Sequence, residues 1–502
     1  MKIRLIQLFS VALAVTLVFQ SCGTSSRNST LSGVGQRNAD GVIELPVPER
    51  AEGQSDVLGL ALDPIDTVRV AFVGLGMRGG DAVRRFTHIP GVKIVALCDV
   101  YEDRVKASNA MLQQNGFPAA QEYFGDTAAW RKMVAQPDVD LVYICTGWDT
   151  HTPIAVQAMK DGKHVAIEVP AATSVDECWE LVNTAEQTRK HCLMLENCVY
   201  DNFEMTTLNM AQQGLFGNIV HTEGAYLHDL RSMNFAEEGE PGHYADMWRL
   251  KQNTRRTGDV YPTHGLGPIA QILGIHRGDK MNTLVSMNTD QFGMTEYARK
   301  KFGDTSAYAK TPYRMGDHTT TLIRTENGKT MMIQHDVTSP RPYSRIHQVS
   351  GTKGFAQKYP VAGISLEADN EAVQGLDYQN LSGHSYVPRE TFDRLMADYR
   401  HPVIRQVGAL AQEVGGHGGM DFVMDYRLIY CLRNGLPLDM DVYDAAEMSC
   451  LTGLSELSIE NGSAPVAVPD FTRGAWNRTK GQHYAFTPAD AAALGIGDAA
   501  GE

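Results

Sequence analysis

Residues with the types and spacing for chemistry gather first at Gly74-x-Gly76-x-x-Gly79, directly after the apolar run Val68–Val73. A strand that enters a helix through this spacing is a dinucleotide fingerprint. Gly74 permits the tight turn, Gly76 lets the backbone approach a pyrophosphate, and Gly79 lets the helix pack on its strand. The helix start then offers N–H groups and the positive end of its dipole to phosphate. Met77 and Arg78, between the second and third glycines, lie over that phosphate site. A second β-like run, Val92–Cys98, ends in Asp99, 20 residues past Gly79. An acid at that distance suits the ribose hydroxyls of NAD and repels the extra phosphate of NADP. An ordinary strand–turn–helix unit with no ligand is the alternative. Glu168 closes another apolar run, Lys163–Ile167, at a strand end where ligands of parallel sheets sit. It suits a ribose, or it caps a loop.

The elements that must carry these residues alternate from Thr67 onward. Helical runs follow Gly79, span Glu102 to about Gln114 and Thr127 to Ala135, follow Pro153, and extend from Ser174 to about Lys190. Between them lie short apolar runs, of which Leu141–Thr146 is continuous, as a strand buried on both faces requires. This alternation predicts an α/β fold with a doubly wound parallel Rossmann sheet. After about residue 200 the texture changes. Asn218–His228, Asn282–Asp290, His318–Thr325, Thr330–Val337 and Arg345–Gly351 read as strands without intervening helices. A second α+β unit with a mostly antiparallel or mixed sheet follows. The division is 66–198 for the Rossmann unit, 199–463 for the α+β unit, and 464–502 for a Pro- and Ala-rich C-terminal extension.

With 502 residues, 43% hydrophobic and 21% charged, the chain has the composition of a globular protein with room for two or three domains. A net charge of −14 argues against nucleic acid as a partner, since phosphate contacts need a basic surface. Residues 1–22 have a basic start (Lys2, Arg4) and an apolar run from Leu5 to Phe19 that ends in Gln20-Ser21-Cys22. This is the pattern of a secretory leader, shorter than the ~20 residues a spanning helix needs. A small residue before Cys22 resembles a bacterial lipobox, although Phe19-Gln20 departs from the usual pattern. Lipidation of Cys22, or plain cleavage, follows. The expected location is membrane-anchored outside the inner membrane, in the periplasm or at the cell surface of a Gram-negative bacterium. Residues 23–65 read as a tether. The seven other cysteines make no zinc or CxxC spacing, so no metal site is expected.

The order of a Rossmann unit, Glu168-Val169-Pro170 and then a strand-rich unit resembles the glucose–fructose oxidoreductase/inositol dehydrogenase family. That family usually has Glu-Lys-Pro at this point. Val169, with Thr146-Gly147-Trp148-Asp149-Thr150-His151, Tyr261-Pro262-Thr263-His264-Gly265 and His417–Phe422, is more particular. These segments resemble the NAD-dependent α-N-acetylgalactosaminidases of glycoside hydrolase family 109, over about residues 66–480. The resemblance implies NAD contacts at Gly74, Gly76, Met77, Arg78, Gly79, Asp99, Trp148, Asp149, Thr150, His151, Glu168, Val169 and Asn197. It implies substrate contacts at Tyr226, Arg249, Tyr261, Pro262, Thr263, His264 and Tyr343. It also implies hydrolysis without net redox change. Carbon 3 of the sugar is oxidised, the hydrogen on carbon 2 is removed, the group on carbon 1 is eliminated, water adds, and carbon 3 is reduced again. NAD is then tightly held and not consumed, and the two-carboxylate rule of ordinary glycosidases does not apply.

On this reading His264 handles the proton of the carbon-3 hydroxyl, because histidine titrates near neutral pH. It could instead only bind substrate or cap a helix. Tyr261 and Tyr200 are candidates for the carbon-2 base. A phenol near pKa 10 needs a nearby cation for that role, and Arg249 could supply one. Packing or substrate binding are the plainer roles for both tyrosines. Asp149 and His151 cap a helix or touch cofactor, and Trp148 stacks on it or fills a boundary. His417, among glycines, reads as structural. A sugar or cyclitol dehydrogenase on the same fold and a non-catalytic glycan-binding lipoprotein are the competing readings. The sequence leaves room for a homo-oligomer.

Overall fold

The computed structural model describes residues 35–493, so the leader and Cys22 lie outside the described residues. Two short strands, β1 (Gln36–Arg37) and β2 (Ile43–Glu44), come first. Then β3 (Val68–Val73), β4 (Val92–Cys98), β5 (Gln121–Tyr123), β6 (Leu141–Ile144), β7 (His164–Ile167) and β8 (Cys192–Met194) form a sheet in the order β5-β4-β3-β6-β7-β8. Every pairing in it is parallel. All four residues of β6 and of β7 are buried, which is why their runs are continuously apolar. Helices Met77–Phe86, Glu102–Gln114, Ala129–Val134, His151–Lys160 and Val175–Thr188 make the crossovers. The last begins where Ser174 Oγ accepts the Glu177 N–H at 3.2 Å, an N-cap visible in the sequence. The chain runs outward from β3 through β4 to β5, then returns to place β6 on the other side of β3. That reversal opens a crevice at the carboxyl ends of β3 and β6.

The second sheet contains β9 (Ile219–Leu227), β10 (Met281–Asn288), β11 (Thr319–Thr325), β12 (Thr330–Asp336), β13 (Gln348–Gly351), β14 (Gly354–Gln357), β15 (Gly363–Leu366) and β16 (Val466–Ala467). Its order is β1-β2-β16-β10-β11-β12-β9-β13-β14-β15. Most pairs are antiparallel, while β9–β12 and β2–β16 are parallel, so the sheet is mixed.

The stretch 36–65 differs from a tether. β1 and β2 extend the second sheet, and Ile43, Val57, Leu58 and Leu60 are buried. Val57 N–H donates to Tyr443 Oη at 3.1 Å, and Arg50 pairs with the buried Glu186 at 3.0 Å. Its few apolar residues are too far apart to show a period, yet each finds a slot in the body. The segment from 464 is likewise built in: β16 joins the sheet, and Phe471 packs on Trp179 with ring centroids 4.6 Å apart. Helices Val442–Ser449 and Leu451–Glu460, unassigned from sequence, are buried along almost their whole length, so no polar face marks their period. Among the described residues no helix is long and apolar enough to cross a membrane.

Candidate active site

A cavity of ≈ 950 Å³ runs from the glycine-rich loop to the second sheet. It lies at the top of the ~300–1,000 Å³ range of ligand clefts. Gly74, Gly76, Met77, Arg78, Asp99, Trp148, Thr150, His151, Glu168, Val169 and Asn197 line one end, and Tyr226, Arg249, Tyr261 and His264 the other.

The loop end fits a dinucleotide. Gly74 has φ +84°, and a Cβ on it would stand 2.5 Å from Cys145 O; one on Gly79 would stand 1.8 Å from Gly74 O. The helix Met77–Phe86 starts at Gly76 with no side chain capping it and no acid in its first turn, so its positive end is open to an anion. Asp99 stands at the end of β4, where Oδ2 accepts the Leu75 N–H at 2.6 Å and Oδ1 accepts the Tyr101 N–H at 2.9 Å. Arg104, which the sequence did not single out, faces it at 3.8 Å.

Arg78 is not left free for phosphate. Its Nε donates to Glu168 Oε1 and its Nη1 to Asp421 Oδ2, both at 2.8 Å, while His417 Nδ1 lies 3.1 Å from Nη1. Asp421 is fully buried at the start of the helix Met420–Asn434 and also accepts from Asn197 Nδ2 and faces His417 Nδ1 at 2.8 Å. Burial would raise this carboxyl, but the His417, Arg78 and Arg85 partners hold it well below the usual carboxylate range. One buried acid thus aims Arg78 and Asn197, and Arg78 in turn fixes Glu168. His417–Phe422 was one of the segments that carried the resemblance, but Asp421 was given no role and His417 was read as structural, whereas His417 lines the cavity.

Asp149 turns away from the cavity. It accepts from Arg255 Nη2 at 2.7 Å and Gln252 Nε2 at 2.9 Å, both on the helix Trp248–Arg255. The exposed Arg255 guanidinium holds the Asp149 charge outside the cavity. His151 is buried with Nδ1 2.9 Å from Pro170 O and Nε2 3.0 Å from Thr146 O, tying two loops of the cleft together. Trp148 stacks on Tyr261 at 5.8 Å and meets Trp248 edge-on at 5.0 Å, so it forms the wall between the two ends.

At the other end Arg249 is buried without a carboxylate partner among its hydrogen bonds. Its Nη1 donates to Tyr244 Oη at 3.2 Å, and Nη2 has no partner. Its Cζ lies 4.7 Å from the Tyr261 ring centroid, 5.3 Å from Trp148, 5.6 Å from Tyr244 and 5.9 Å from Tyr226. An orphaned, desolvated N–H in an aromatic cage is a donor held ready for a ligand oxygen. Burial pushes the Tyr226 phenol up to about 12 against the pull of Arg249, and pushes Tyr261 well above its ordinary value. Both phenols therefore keep their protons near neutral pH and serve as donors in the free protein. Tyr226 Oη lies 3.0 Å from Nδ1 of His228, a cavity residue two positions along the same strand end. Burial, then Arg249, hold His228 below its ordinary value, and the i, i+2 spacing was the clue to its facing Tyr226.

His264 opens the helix Thr263–Leu273, with Pro262 at its N-cap and Thr263 fully buried. Close glycine contacts set its height. A Cβ on Gly265 would lie 2.2 Å from Ala225 N, and one on Gly267 would lie 2.9 Å from Glu196 Cγ. His264 Nδ1 is 2.7 Å from Oε1 of Glu196, two residues past the end of β8.

Tyr200 is not in the cavity. It is fully buried and its Oη donates to Asp439 Oδ2 at 3.2 Å, so it cannot reach a sugar. Tyr343 stands at the rim, its ring 6.2 Å from that of Tyr226 and 5.1 Å from that of His228. Behind it Arg345 donates to Tyr343 Oη at 3.3 Å and pairs with Glu204 at 2.6 Å, and Lys358 pairs with Glu204 at 2.7 Å. Burial would raise Glu204, but Lys358 and Arg345 bring it from 4.5 down to about 2. A carboxyl lowered on folding adds stability that is full above its unfolded pKa and lost as pH falls towards the folded one. Glu204→Gln should therefore cost about 3 kcal/mol at pH 7, and the gap from wild type should shrink as pH drops from 4.5 towards 2. Urea unfolding at pH 7 and pH 3 checks this; an equal gap at both would refute it.

Two groups, Glu196/Cys198/His264 and His276/Asp441/Asp444, bring three potential metal-ligand atoms within 4.8 Å of one another. In each the carboxylates already face N–H donors: His264 and the Cys198 N–H on Glu196, and Arg277 on Asp444.

A Rossmann sheet with a cofactor-fitting loop, joined to a mixed sheet that completes the cavity, defines an NAD-binding protein of the oxidoreductase type. Residues 68–196 match the oxidoreductase family with an NAD-binding Rossmann fold, and residues 200–478 match the C-terminal domain of glycosyl hydrolase 109. The chain belongs to glycosyl hydrolase family 109. It is 54% identical over 449 residues to glycosyl hydrolase family 109 protein 1 of Phocaeicola vulgatus, covering 88% of this chain and 92% of that one. It is also 54% identical over 429 residues to an alpha-N-acetylgalactosaminidase of Bacteroides fragilis, covering 86% and 97%. Levoglucosan dehydrogenase solved with NADH and levoglucosan shares the fold, with a TM-score of 0.58 and 15% identity over 80% of this chain and 99% of that one.

Proposed function

We propose that the protein hydrolyses terminal α-N-acetylgalactosaminides, or closely related α-glycosides, by oxidation, elimination, addition and reduction on a resident NAD. The observation that carries this is one cavity that joins the dinucleotide-fitting loop to His264 and the unpaired Arg249 Nη2. NAD, when bound, supplies the reversible oxidation of the sugar. Gly74, Gly76, Met77 and the open helix start would receive its pyrophosphate, and Asp99 its ribose. Glu168, Val169 and Asn197, held by Arg78 and Asp421, would hold its nicotinamide end. His264 takes and returns the proton of the carbon-3 hydroxyl. The Tyr226 and Tyr261 hydroxyls and Arg249 Nη2 donate to sugar oxygens, and the Trp148 wall keeps bulk water from the reacting face.

We further infer that residues 1–22 direct export and that Cys22 carries a lipid anchor. Free NAD is scarce outside the cytoplasm, and a redox-neutral cycle needs it only once per molecule. The test is a single assay with an aryl α-N-acetylgalactosaminide and with the free sugar. Aglycone release without a rise in NADH absorbance is expected, and mild denaturation should release bound NAD. NADH that scales with free sugar would mean a dehydrogenase, and no turnover with NAD present would mean a glycan-binding protein.

A further inference from the structure

Glu196 belongs to none of the contact sets implied by family resemblance, yet it is the group closest to the reacting histidine. Its side chain is fully buried, and Oε1 accepts the Cys198 N–H at 3.0 Å while facing His264 Nδ1 at 2.7 Å. Oε2 has no hydrogen-bond partner. The contact is built in from the backbone, because only a glycine at 267 leaves room for Glu196 Cγ beside the helix Thr263–Leu273. Burial alone would raise this carboxyl, but the charge of and hydrogen bond from His264 outweigh it and hold Glu196 below its ordinary value.

We propose that Glu196 is a positioning residue that keeps the hydrogen of His264 on Nδ1 and so leaves Nε2 as the atom that exchanges a proton with substrate. A carboxylate oxygen only accepts, so a 2.7 Å approach to Nδ1 requires the hydrogen on that nitrogen. Nε2 then presents a lone pair. When it takes a hydroxyl proton, the oxygen keeps the electron pair and the ring becomes an imidazolium. The Glu196 carboxylate stands 2.7 Å from Nδ1 as the counter-charge to that cation. With the opposite tautomer, Nε2 would carry a hydrogen and could accept nothing. This inference rests on the proposed role of His264, but its first readout needs no substrate.

The experiment uses ¹⁵N-histidine-labelled protein with its bound cofactor, the His264 signals being assigned by their loss in a His264→Gln variant. Wild type is expected to show the Nδ1–H form, and Glu196→Gln a mixture of tautomers. In kinetics, Glu196→Gln should lower kcat about 10²-fold with KM changed less than about threefold. Glu196→Asp, which keeps the charge, should recover part of kcat, and bound NAD should match wild type in both. An Nε2–H form in wild type, or a Glu196→Gln variant with wild-type kcat, would overturn the proposal. Absence of hydrolysis by wild type would instead strike the proposed function and leave the tautomer result standing.

Discussion

On the proposed role of His264, His264→Ala is expected to lower kcat on an aryl α-N-acetylgalactosaminide at least about 10³-fold, because the neighbouring Tyr226 and Tyr261 phenols, raised by burial, are poor bases near neutral pH. The cofactor end of the cavity does not contain this side chain's partners, so bound NAD should stay at wild-type stoichiometry. The variant carries a second cost. Glu196 is buried, and its Oε1 would keep only the Cys198 N–H. Breaking a buried pair in this way costs about 3–5 kcal/mol. His264→Gln separates the two effects, since the glutamine amide can still donate to Glu196 but cannot shuttle a proton. Turnover should collapse in both variants, while denaturant stability should fall mainly in the alanine variant. Retention of more than a tenth of wild-type kcat by His264→Gln would remove His264 from the chemistry.

Asp421→Ala should give the largest loss of cofactor and of stability together. Its carboxylate accepts from Arg78 at 2.8 Å and from Asn197, and it lies 3.7 Å from Arg85. Arg85 is fully buried and otherwise relies on Asp425 at 2.7 Å and Asp81 at 2.6 Å. Without Asp421, Arg78 at the cavity and the buried Arg85 beneath it have less compensating charge, and about 3–5 kcal/mol of stability is lost. Arg78 is left with Glu168 as its only carboxylate hydrogen-bond partner, and Asn197 loses its acceptor, so gel-filtered protein should emerge depleted of NAD. Asp421→Asn keeps an acceptor of the same shape and should retain more cofactor than the alanine variant. Stability and NAD content equal to wild type in Asp421→Ala would show that the network does not hold the site.

These two predictions draw on residues of unequal legibility. The glycine-rich loop, Asp99 and the strand ends carry local signals: an apolar run, a turn that only glycine can make, an acid at a set distance. His264 stood out through its neighbours in a short segment. Glu196 carried no such signal, and the role of Asp421 was not legible within its own segment, since their partners His264 and Arg78 stand 68 and 343 positions away. Tyr200 and Asp149 show the opposite failure. Their types suited the site, but Tyr200 is turned to Asp439 and Asp149 to Arg255 by contacts no local pattern announces.

By itself the sequence determined the parallel Rossmann sheet, the strand-rich second half and the dinucleotide loop. Hydrophobic period and turn chemistry are local properties, readable within a few residues. Only the tertiary structure decided which polar groups face one another. It put residues 36–65 and the segment from 464 into the body, caged Arg249 with one N–H unpaired, and set Glu196 behind His264. The reason is that burying a charge is unfavourable unless a partner meets it, and the partner can come from any part of the chain that packing brings near.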